Sequence, residues 1–211
     1  ILARRYDAGF QEIWNIPEPA DGLSSEYIAV GNGRNQPFVY VQGTFRQGAD
    51  DQNVFVTQLG KEAGNRLWNI EIRSNDTPSP GQEQAGGIGV GPQGVVRAAF
   101  SSDGSDLTAG GVLLRDTPTT ASRHGHLLFL DPTEGRLRND RLLGASTEPG
   151  GVMDTYNLDI DYAGNTYVAI GFTGSYSFKG AIQQGEEDAA VVVVDSLGIP
   201  MRFLDSNGNA N

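Results

Sequence analysis

The chain has 211 residues, of which 29 are glycine, 10 are proline and none is cysteine, and its formal net charge is −11. This charge argues against a nucleic-acid partner, because neutralising phosphates requires clustered Lys and Arg side chains. The absence of cysteine excludes disulfides, thiolate catalysis and thiolate metal sites. No stretch approaches the ~20 consecutive apolar residues of a membrane helix, so we expect no membrane insertion.

Four segments combine an aliphatic run, a turn that contains glycine and a second short apolar run, a pattern typical of two strands joined tightly. In chain order they are ILARRYDAGFQEIWNI (1–16), VFVTQLGKEAGNRLWNI (54–70), HLLFLDPTEGRLRNDRL (126–142) and AVVVVDSLGIPMRFL (190–204). A second such pair precedes the last three, at EYIAVGNGRNQPFVYVQGTF (26–45), GGIGVGPQGVVRAAF (86–100) and YNLDIDYAGNTYVAIGFTG (156–174). The sequence therefore predicts a four-strand repeat in which Tyr40, Val96 and Tyr167 are equivalent.

Four antiparallel strands that cannot bury both faces of their own sheet describe the blade of a β-propeller. We therefore predict an all-β fold, a β-propeller of four-stranded antiparallel blades with strands A to D running outward from the axis. Trp14 and Trp68 fall in outer strand D, where a large ring covers the gap to the next blade. Stacking should bury the apolar residues of the inner strands, namely Ile28, Val30, Ile88, Val90, Leu158 and Ile160.

The repeat makes residues 1–211 a single propeller segment of about three and a half blades. Residues 1–20 supply strands C and D of a half blade, and full blades follow at 21–76, 77–147 (with a long B–C insertion) and 148–211. Because known propellers have about four to eight blades, we expect that a longer chain or a second chain completes the ring. The start at Ile1, without Met or a signal peptide, indicates either a removed leader or a piece of a longer protein.

The run GNTYVAIGFTGSYSFKGAIQQGEEDAAVVVVDSLGIPM (164–201) resembles the bacterial SBBP-type β-propeller repeat. In that repeat a GN-x-YV-x-G-T run precedes an Asp-Ala-aliphatic strand and an Asp-x-x-Gly turn, and VYVQGTFRQGADDQNVFVTQL (39–59) is similar more loosely. The resemblance implies a propeller, commonly in secreted or surface proteins, and carries no catalytic residues. FLDPTEGRL (129–137) and RLWNI (66–70) are also similar to blades of pyrroloquinoline-quinone-dependent dehydrogenases, although no copy holds the Thr and Trp of that repeat together.

In a propeller the A–B and C–D turns lie on one face, and the B–C and D–A connections lie on the other. Here the second face holds the long connections, 46–53, 101–125 and 175–188 as B–C and 71–86 and 144–154 as D–A. Long loops on a rigid scaffold usually carry function. The candidate site residues on this face are Asp50, Asp51, Asp103, Asp106, Glu186, Glu187 and Asp188. They predict either oxygen ligands for Ca²⁺ or a docking surface for a basic protein, with ordinary solvated surface as the alternative.

An enzyme is the alternative class. His124 and His126, two apart at the start of a strand C, should point to one face as a metal pair or an ordinary junction. Asp159 and Asp161 on the inner strand of the third repeat would be either paired carboxylates, as in glycosidase propellers, or strand-end packing. The run DSNGNAN (205–211) offers oxygen ligands, but its Gly208 stands at the fourth position and not at the sixth, as a calcium loop requires.

We therefore predict a non-catalytic propeller, secreted, on the cell surface or periplasmic, that acts as a binding or structural module through its acidic long-loop face. The alternative is part of a propeller enzyme, either a quinoprotein or a glycosidase, completed by other blades. Ca²⁺ is the one cofactor that the acidic loops suggest. The expected partners are a protein or further blades, with cations or glycans as other ligands and with nucleic acid and membrane excluded.

Overall fold

The structure is a computed structural model that describes residues 3–6, 8–16, 24–31, 38–47, 51–75, 81–115, 123–146, 151–178 and 181–205. These residues form an all-β fold, as predicted. No helix among them is long and apolar enough to cross a membrane. The strands are β1 (Ala3–Tyr6), β2 (Glu12–Ile16), β3 (Ser24–Val30), β4 (Phe38–Arg46), β5 (Gln52–Gly60), β6 (Arg66–Ser74), β7 (Gln84–Val90), β8 (Val96–Ser102), β9 (Leu107–Ala109), β10 (Val112–Leu113), β11 (His124–Leu130), β12 (Leu137–Ser146), β13 (Met153–Ile160), β14 (Thr166–Phe178), β15 (Ala181–Val194) and β16 (Pro200–Asp205).

Three four-stranded antiparallel sheets follow one another along the chain. The first sheet has the order β3-β4-β5-β6, the second β7-β8-β11-β12 and the third β13-β14-β15-β16. The hairpin β1-β2 is a separate two-stranded sheet. The predicted four-strand repeat is therefore confirmed, and the letters A to D can be used for the strands of each sheet.

The three sheets share one register, which corrects a predicted equivalence. The last pairs of the A–B ladders are Val30↔Val39, Val90↔Val96 and Ile160↔Thr166. The next position along strand B is therefore occupied by Tyr40, Arg97 and Tyr167. The prediction that Val96 is equivalent to the two tyrosines was wrong by one residue, because Val95 and Val96 both fit an aliphatic pattern and only the ladder distinguishes them.

The inner strand of each sheet lies across the preceding sheet. Strand β7 packs against β3, β4 and β5, and β13 packs in the same way against β7, β8 and β11. Glycine permits the second contact, since a Cβ added at Gly86 would lie 1.7 Å from Thr155 Oγ1 and one at Gly89 would lie 2.7 Å from Leu158 Cδ1. The Tyr27 hydroxyl of the first sheet donates to the Tyr156 carbonyl of the third at 2.6 Å. The three inner strands therefore converge.

Apolar side chains fill the space between successive sheets. One cluster, which includes Tyr40 and Leu128, lies between the first and second sheets; another, which includes Leu127 and Phe203, lies between the second and third. Neighbouring residues of β11 thus enter opposite clusters, as the alternation of a strand requires. Strands β8 and β11 are buried along their whole length, so the second sheet is covered on both faces.

The predicted burial of the inner strands holds only where a sheet is covered on that side. Ile88 and Leu158 are 6% and 8% exposed, whereas Ile28 and Val30 are 63% and 51% exposed. The side chains of Tyr27 and Ala29 pack against the cluster between the first two sheets, and Ile28 and Val30 alternate with them and face the other way. The prediction was wrong for Ile28 and Val30, because no described strand lies over this part of the first sheet.

Two segments predicted as B–C loops contain strands that extend the preceding sheet. In the insertion 101–125, β9 and β10 form a hairpin whose β9 pairs with β6, the outer strand of the first sheet. In 175–188, β14 and β15 form a long arm, and Ser177 of β14 pairs with Ala145 of β12, the outer strand of the second sheet. The loop prediction was wrong for these strands, because strand D offers an open edge and Leu107 and Ala109 reach the buried cluster.

The C–D turn of one sheet docks on the sheet before it. The indole of Trp68 in β6 donates to the Pro132 carbonyl at 3.1 Å, and its ring lies so close to Gly135 that an added Cβ would stand 2.6 Å from it. In the next interface Gly198 meets the ring of Phe129 in the same way, with an added Cβ at 3.1 Å. The prediction that Trp68 covers the gap to the next sheet is confirmed. For Trp14, the structure describes only the backbone in β2.

Replacing Trp68 by alanine should lower the free energy of unfolding by about 3–5 kcal/mol, since it removes a buried ring and a hydrogen bond to the next sheet. Urea denaturation followed by far-UV circular dichroism measures the change. Leu67→Ala on the same strand is the control, because Leu67 is 44% exposed and its loss should cost much less. Equal costs for the two variants would contradict the docking role of Trp68.

Candidate functional site

Described parts of two B–C connections and of the D–A connection between the first two sheets meet at one end of the stack. Residue Gln52, at the start of β5, forms an isolated parallel bridge with Gln82 in the connection to the second sheet. The Glu83 amide donates to the Gln52 carbonyl at 2.8 Å, and the Gln52 side chain donates to the Glu83 carbonyl at 3.0 Å. We call the described residues 51–52, 81–83 and 103–106 the acidic end.

Three of the predicted acidic residues belong to the acidic end. Asp51 is half-buried and accepts a hydrogen bond from Asn53 Nδ2 at 2.7 Å. Asp103 is exposed and accepts a hydrogen bond from the Gln82 amide, which fastens the connection to the second sheet. Asp106 is exposed in the same turn as Asp103, and its carbonyl accepts a hydrogen bond from the Asn75 amide at 2.9 Å.

The remaining predicted site residues are placed elsewhere or not described. Glu186, Glu187 and Asp188 belong to β15 of the third sheet, where the ladder with β14 shifts register between Phe172 and Gly174. They are strand residues and not loop residues, and the structure describes only their backbone. Asp50 lies outside the described residues, as do residues 206–211 of the proposed calcium loop.

The sequence analysis missed Glu83, whose carboxyl group lies beneath the acidic end. Glu83 is 0% exposed, and its Oε1 accepts a hydrogen bond from Ser102 Oγ at 2.8 Å. Its Oε2 is buried and has no hydrogen-bond partner among the described residues. A glutamate in the polar run PGQEQAG gives no sign of burial, although its place directly before an inner strand could have suggested it.

Burial raises the pKa of Glu83 to about 8, and the hydrogen bonds from Ser102 and the Ser74 backbone oppose this rise. The charges of Asp103 and Asp51 raise it further, so the structure brings these two predicted residues together around Glu83. At neutral pH the Glu83 carboxyl is therefore mostly protonated.

Two buried histidines lie on β11 of the second sheet, where His124 pairs with Ser102, the residue whose hydroxyl donates to Glu83. His124 and His126 are both 0% exposed, and their rings are 4.9 Å apart on one face of β11, as predicted. His126 stacks on Phe100 with ring centroids 5.1 Å apart, and neither of its ring nitrogens has a hydrogen-bond partner among the described residues. Burial first, and the neighbouring His124 second, hold the pKa of His126 well below its usual value. His126 is therefore neutral at pH 7.

Nothing in the described part of the chain groups three or more His, Asp or Glu side chains in a way that could hold a metal ion. The Ca²⁺ prediction thus stays a prediction from the sequence. Arg123, at the border of the acidic end, forms an ion pair with Asp154 and donates to the Gln82 carbonyl at 3.1 Å. Its charge therefore serves to hold the connection to the second sheet.

The two aspartates considered for a glycosidase site are not a strand pair. Strand β13 ends at Ile160, so Asp161 lies in the following turn, where it accepts from the Asn165 amide at 2.8 Å and the Tyr167 hydroxyl at 3.2 Å. The hydrogen bond from the Asn165 side chain is the main cause that lowers the pKa of Asp161. Asp159 accepts a hydrogen bond from the Ile160 amide at 2.8 Å. The prediction of Asp161 as an inner-strand residue was wrong, and strand-end packing is what the structure shows.

No protein-family model matches the chain. No curated protein matches it either. The resemblance to SBBP-type repeats therefore stays an expectation from the sequence, and the function must be argued from the residues described above.

Replacing Glu83 by glutamine should remove one source of pH-dependent stability. The folded pKa of about 8 lies above the unfolded value of 4.5, so the contribution of Glu83 is fully present below pH 4.5 and is lost as the pH rises through about 8. Between about pH 5 and pH 9 the free energy of unfolding of the wild type should fall by several kcal/mol relative to that of Glu83→Gln. The slope should be about 1.4 kcal/mol per pH unit between the unfolded and the folded pKa.

Urea unfolding at several pH values measures this difference. Asp106→Asn is the control, because Asp106 is exposed and is not among the charges that raise the pKa of Glu83, and its curve should follow that of the wild type. Parallel curves for the wild type and Glu83→Gln would show that Glu83 titrates normally.

Proposed function

We propose that the chain is a segment of a β-propeller that serves outside the cytoplasm as a non-catalytic scaffold and binding module. Its acidic end is the surface that binds a basic protein. The observation that carries the scaffold role is that successive sheets use the same docking contact. This repetition supports a constant rotation between neighbouring sheets, and a constant rotation about converging inner strands generates a propeller.

The docking contact uses the same row of residues in both interfaces. In the first, Tyr40, Gln58 and Trp68 stand side by side across strands B, C and D, and the latter two both donate to the Pro132 carbonyl. In the second, Arg97 and Phe129 stand in this row, and Arg97 reaches Ser196 of the next C–D turn. The acceptor carbonyls correspond as well, because Pro132 follows Asp131 and Ser196 follows Asp195, and each aspartate is the first residue of its turn.

The third sheet carries the same row on a side that no described strand covers. Tyr167 occupies the position of Tyr40, yet Tyr167 is 38% exposed and Tyr40 is 0% exposed. Ile28 and Val30 leave an apolar area at the opposite flank of the stack. These two flanks support the proposal that further sheets of the same kind, in a longer chain or a second chain, complete the ring.

The acidic end suits a cationic partner because of its charge. Asp51, Asp103 and Asp106 lie at one end of a chain whose net charge is −11, and the buried Glu83 adds a neutral hydrogen-bonding group beneath them. A concentrated surface charge steers an oppositely charged partner and fixes its orientation. The enzyme alternative has no comparable support, since Asp159 and Asp161 serve the turn of the third sheet.

If the flanks stack on further sheets, the chain should associate with itself as its concentration rises. Tyr167→Lys should weaken this association about tenfold or more, because a stacked face would bury the lysine charge. Sedimentation velocity measures both effects. Tyr162→Lys is the control, since Tyr162 is fully exposed in a turn and outside the flank. A concentration-independent monomer, or equal effects of the two variants, would contradict the stacking role.

Removing the charges of the acidic end should weaken the binding of a cationic probe. The variant combines Asp51→Asn, Asp103→Asn and Asp106→Asn, in which the amides keep the acceptor oxygens. We expect the dissociation constant for poly-L-lysine to rise about tenfold or more and its salt dependence to fall. Isothermal titration calorimetry at two ionic strengths measures both. The charge-matched control combines Glu62→Gln, Glu134→Gln and Asp159→Asn, at exposed positions away from the acidic end.

Equal losses in the acidic-end variant and in its control would show that poly-L-lysine responds only to net charge and would remove the acidic end as a specific surface. Thermal unfolding of the wild type and of the acidic-end variant, with EDTA and with added Ca²⁺, tests the calcium prediction. A melting temperature raised by Ca²⁺ in the wild type but not in the acidic-end variant would support a calcium site there. An unchanged melting temperature would remove it.

A further inference from the structure

The end of the stack opposite the acidic end holds a buried cation, Arg97 of β8. Arg97 is 3% exposed, and its guanidinium group lies 5.0 Å from the centre of the Phe129 ring. Nη1 donates to Thr166 Oγ1, and Nη2 reaches the Ser196 carbonyl at a long 3.5 Å. Its Nε is buried and has no hydrogen-bond partner among the described residues. The group therefore has donor capacity left over.

No carboxylate pairs with Arg97 directly. The ion pairs of the described residues use other arginines. Asp161 and Asp195 are near enough to favour the charged form of Arg97, but their oxygens accept hydrogen bonds within their own turns. A buried charge without a paired counter-charge is costly. Arginine stays protonated under these conditions, so Arg97 lacks a contacting anion.

A cavity of about 100 Å³ opens onto this guanidinium group. It lies between the turns 91–95 and 161–165, with Ser196 of a third turn on its wall. Glycine keeps the mouth open, since a Cβ added at Gly91 or Gly164 would stand 4.0 Å or 3.8 Å from Nη2. Tyr162, fully exposed, forms the rim. A ligand from solvent can therefore reach Arg97.

Docking of the next sheet does not require a cation at this position. In the first interface the equivalent residue is Tyr40, which is neutral and hydrogen-bonded to Gln58 at 2.9 Å. There Gln58 and Trp68 hold the Pro132 carbonyl of the next turn. A neutral side chain can therefore fill this position of the docking row.

We propose that this cavity is a binding site for a monoanionic carboxylate, which Arg97 holds through Nη2, its atom nearest to Gly91 and Gly164. A hydrogen bond from a guanidinium N–H group to a carboxylate oxygen is charge-assisted and therefore stronger than one between neutral groups. The nearby charges of Asp161 and Asp195 oppose a dianion such as phosphate. A volume of about 100 Å³ corresponds to about three water molecules, so it admits a carboxylate with a short stem. The carboxylate comes either from a small acid or from an acidic side chain of a protein.

Anion titrations followed by ¹H–¹⁵N NMR test this site in the full chain. Sodium acetate should shift the Arg97 Nε–H and the Gly164 amide resonances in a saturable manner. Sodium chloride at the same ionic strength should not, and inorganic phosphate should bind at least about fivefold more weakly because of its second charge. An absent or non-saturable acetate shift, or tighter binding of phosphate, would overturn the proposal.

Two variants connect the shifts to the cavity. Arg97→Met keeps an apolar stem near Phe129 and should abolish the saturable shift at Gly164. Ala163→Glu, at an exposed residue of the cavity wall, places a carboxylate on the chain itself and should raise the melting temperature and block acetate. Its control is Ala163→Gln, which adds the same length without the charge. Identical behaviour of the two Ala163 variants would overturn the proposal even if Arg97→Met fails to fold.

A peptide with one glutamate distinguishes the two sources of the carboxylate. If the group comes from a protein, the peptide should shift the same resonances at a concentration about tenfold or more below that of acetate. If peptide and acetate shift these resonances at equal concentrations, the site is assigned to a small acid.

Discussion

Each of the three large sheets is built on four strands and has two faces that water would otherwise cover, and the rest of the structure depends on how these faces are buried. The inner strand of each later sheet lies across the sheet before it. The C–D turn of the later sheet packs against the outer strands of the earlier one. Trp68 on Gly135 and Phe129 against Gly198 are two instances of this contact. Because burial of apolar area stabilises in proportion to the area removed from water, the stability of each sheet depends mainly on its neighbours.

The same geometry explains why the ends of the stack differ chemically. The short turns close on their own aspartates, as Asp195 does by accepting two backbone hydrogen bonds, and so they present few free charges. The long connections cross between sheets, and this crossing places Glu83 in a buried position under charged aspartates. In the same region His126 is held neutral by burial. Desolvation is therefore the main cause of the pKa shifts of Glu83 and His126, as it is for the buried Arg97 at the other end.

The sequence predicted the local features well, since they depend on a few neighbouring residues. The turns at Gly64, Gly135 and Gly198 take positive φ, a conformation that glycine adopts at little cost, and the aliphatic runs around them alternate as strands do. The sequence could not show features that depend on distant partners. The strand at 107–109 exists because an edge is open next to it, Ile28 is exposed because nothing covers it, and Glu83 and Arg97 are significant because of what surrounds them in space. The acidic residues were found from composition, but their grouping around Glu83 was not.

The strands inserted between B and C come from the sheet that follows in the chain, and this order has a consequence for synthesis on the ribosome. The open edge of β6 is closed by β9, and two strands, β7 and β8, are synthesised between them. In the same way the edge of β12 pairs with β14, which follows β13 in the chain. At translation rates of about 5–20 residues per second, each newly made sheet exposes an unpaired edge for on the order of seconds. During this interval the unpaired edge is open to pairing with another chain, which is an aggregation hazard.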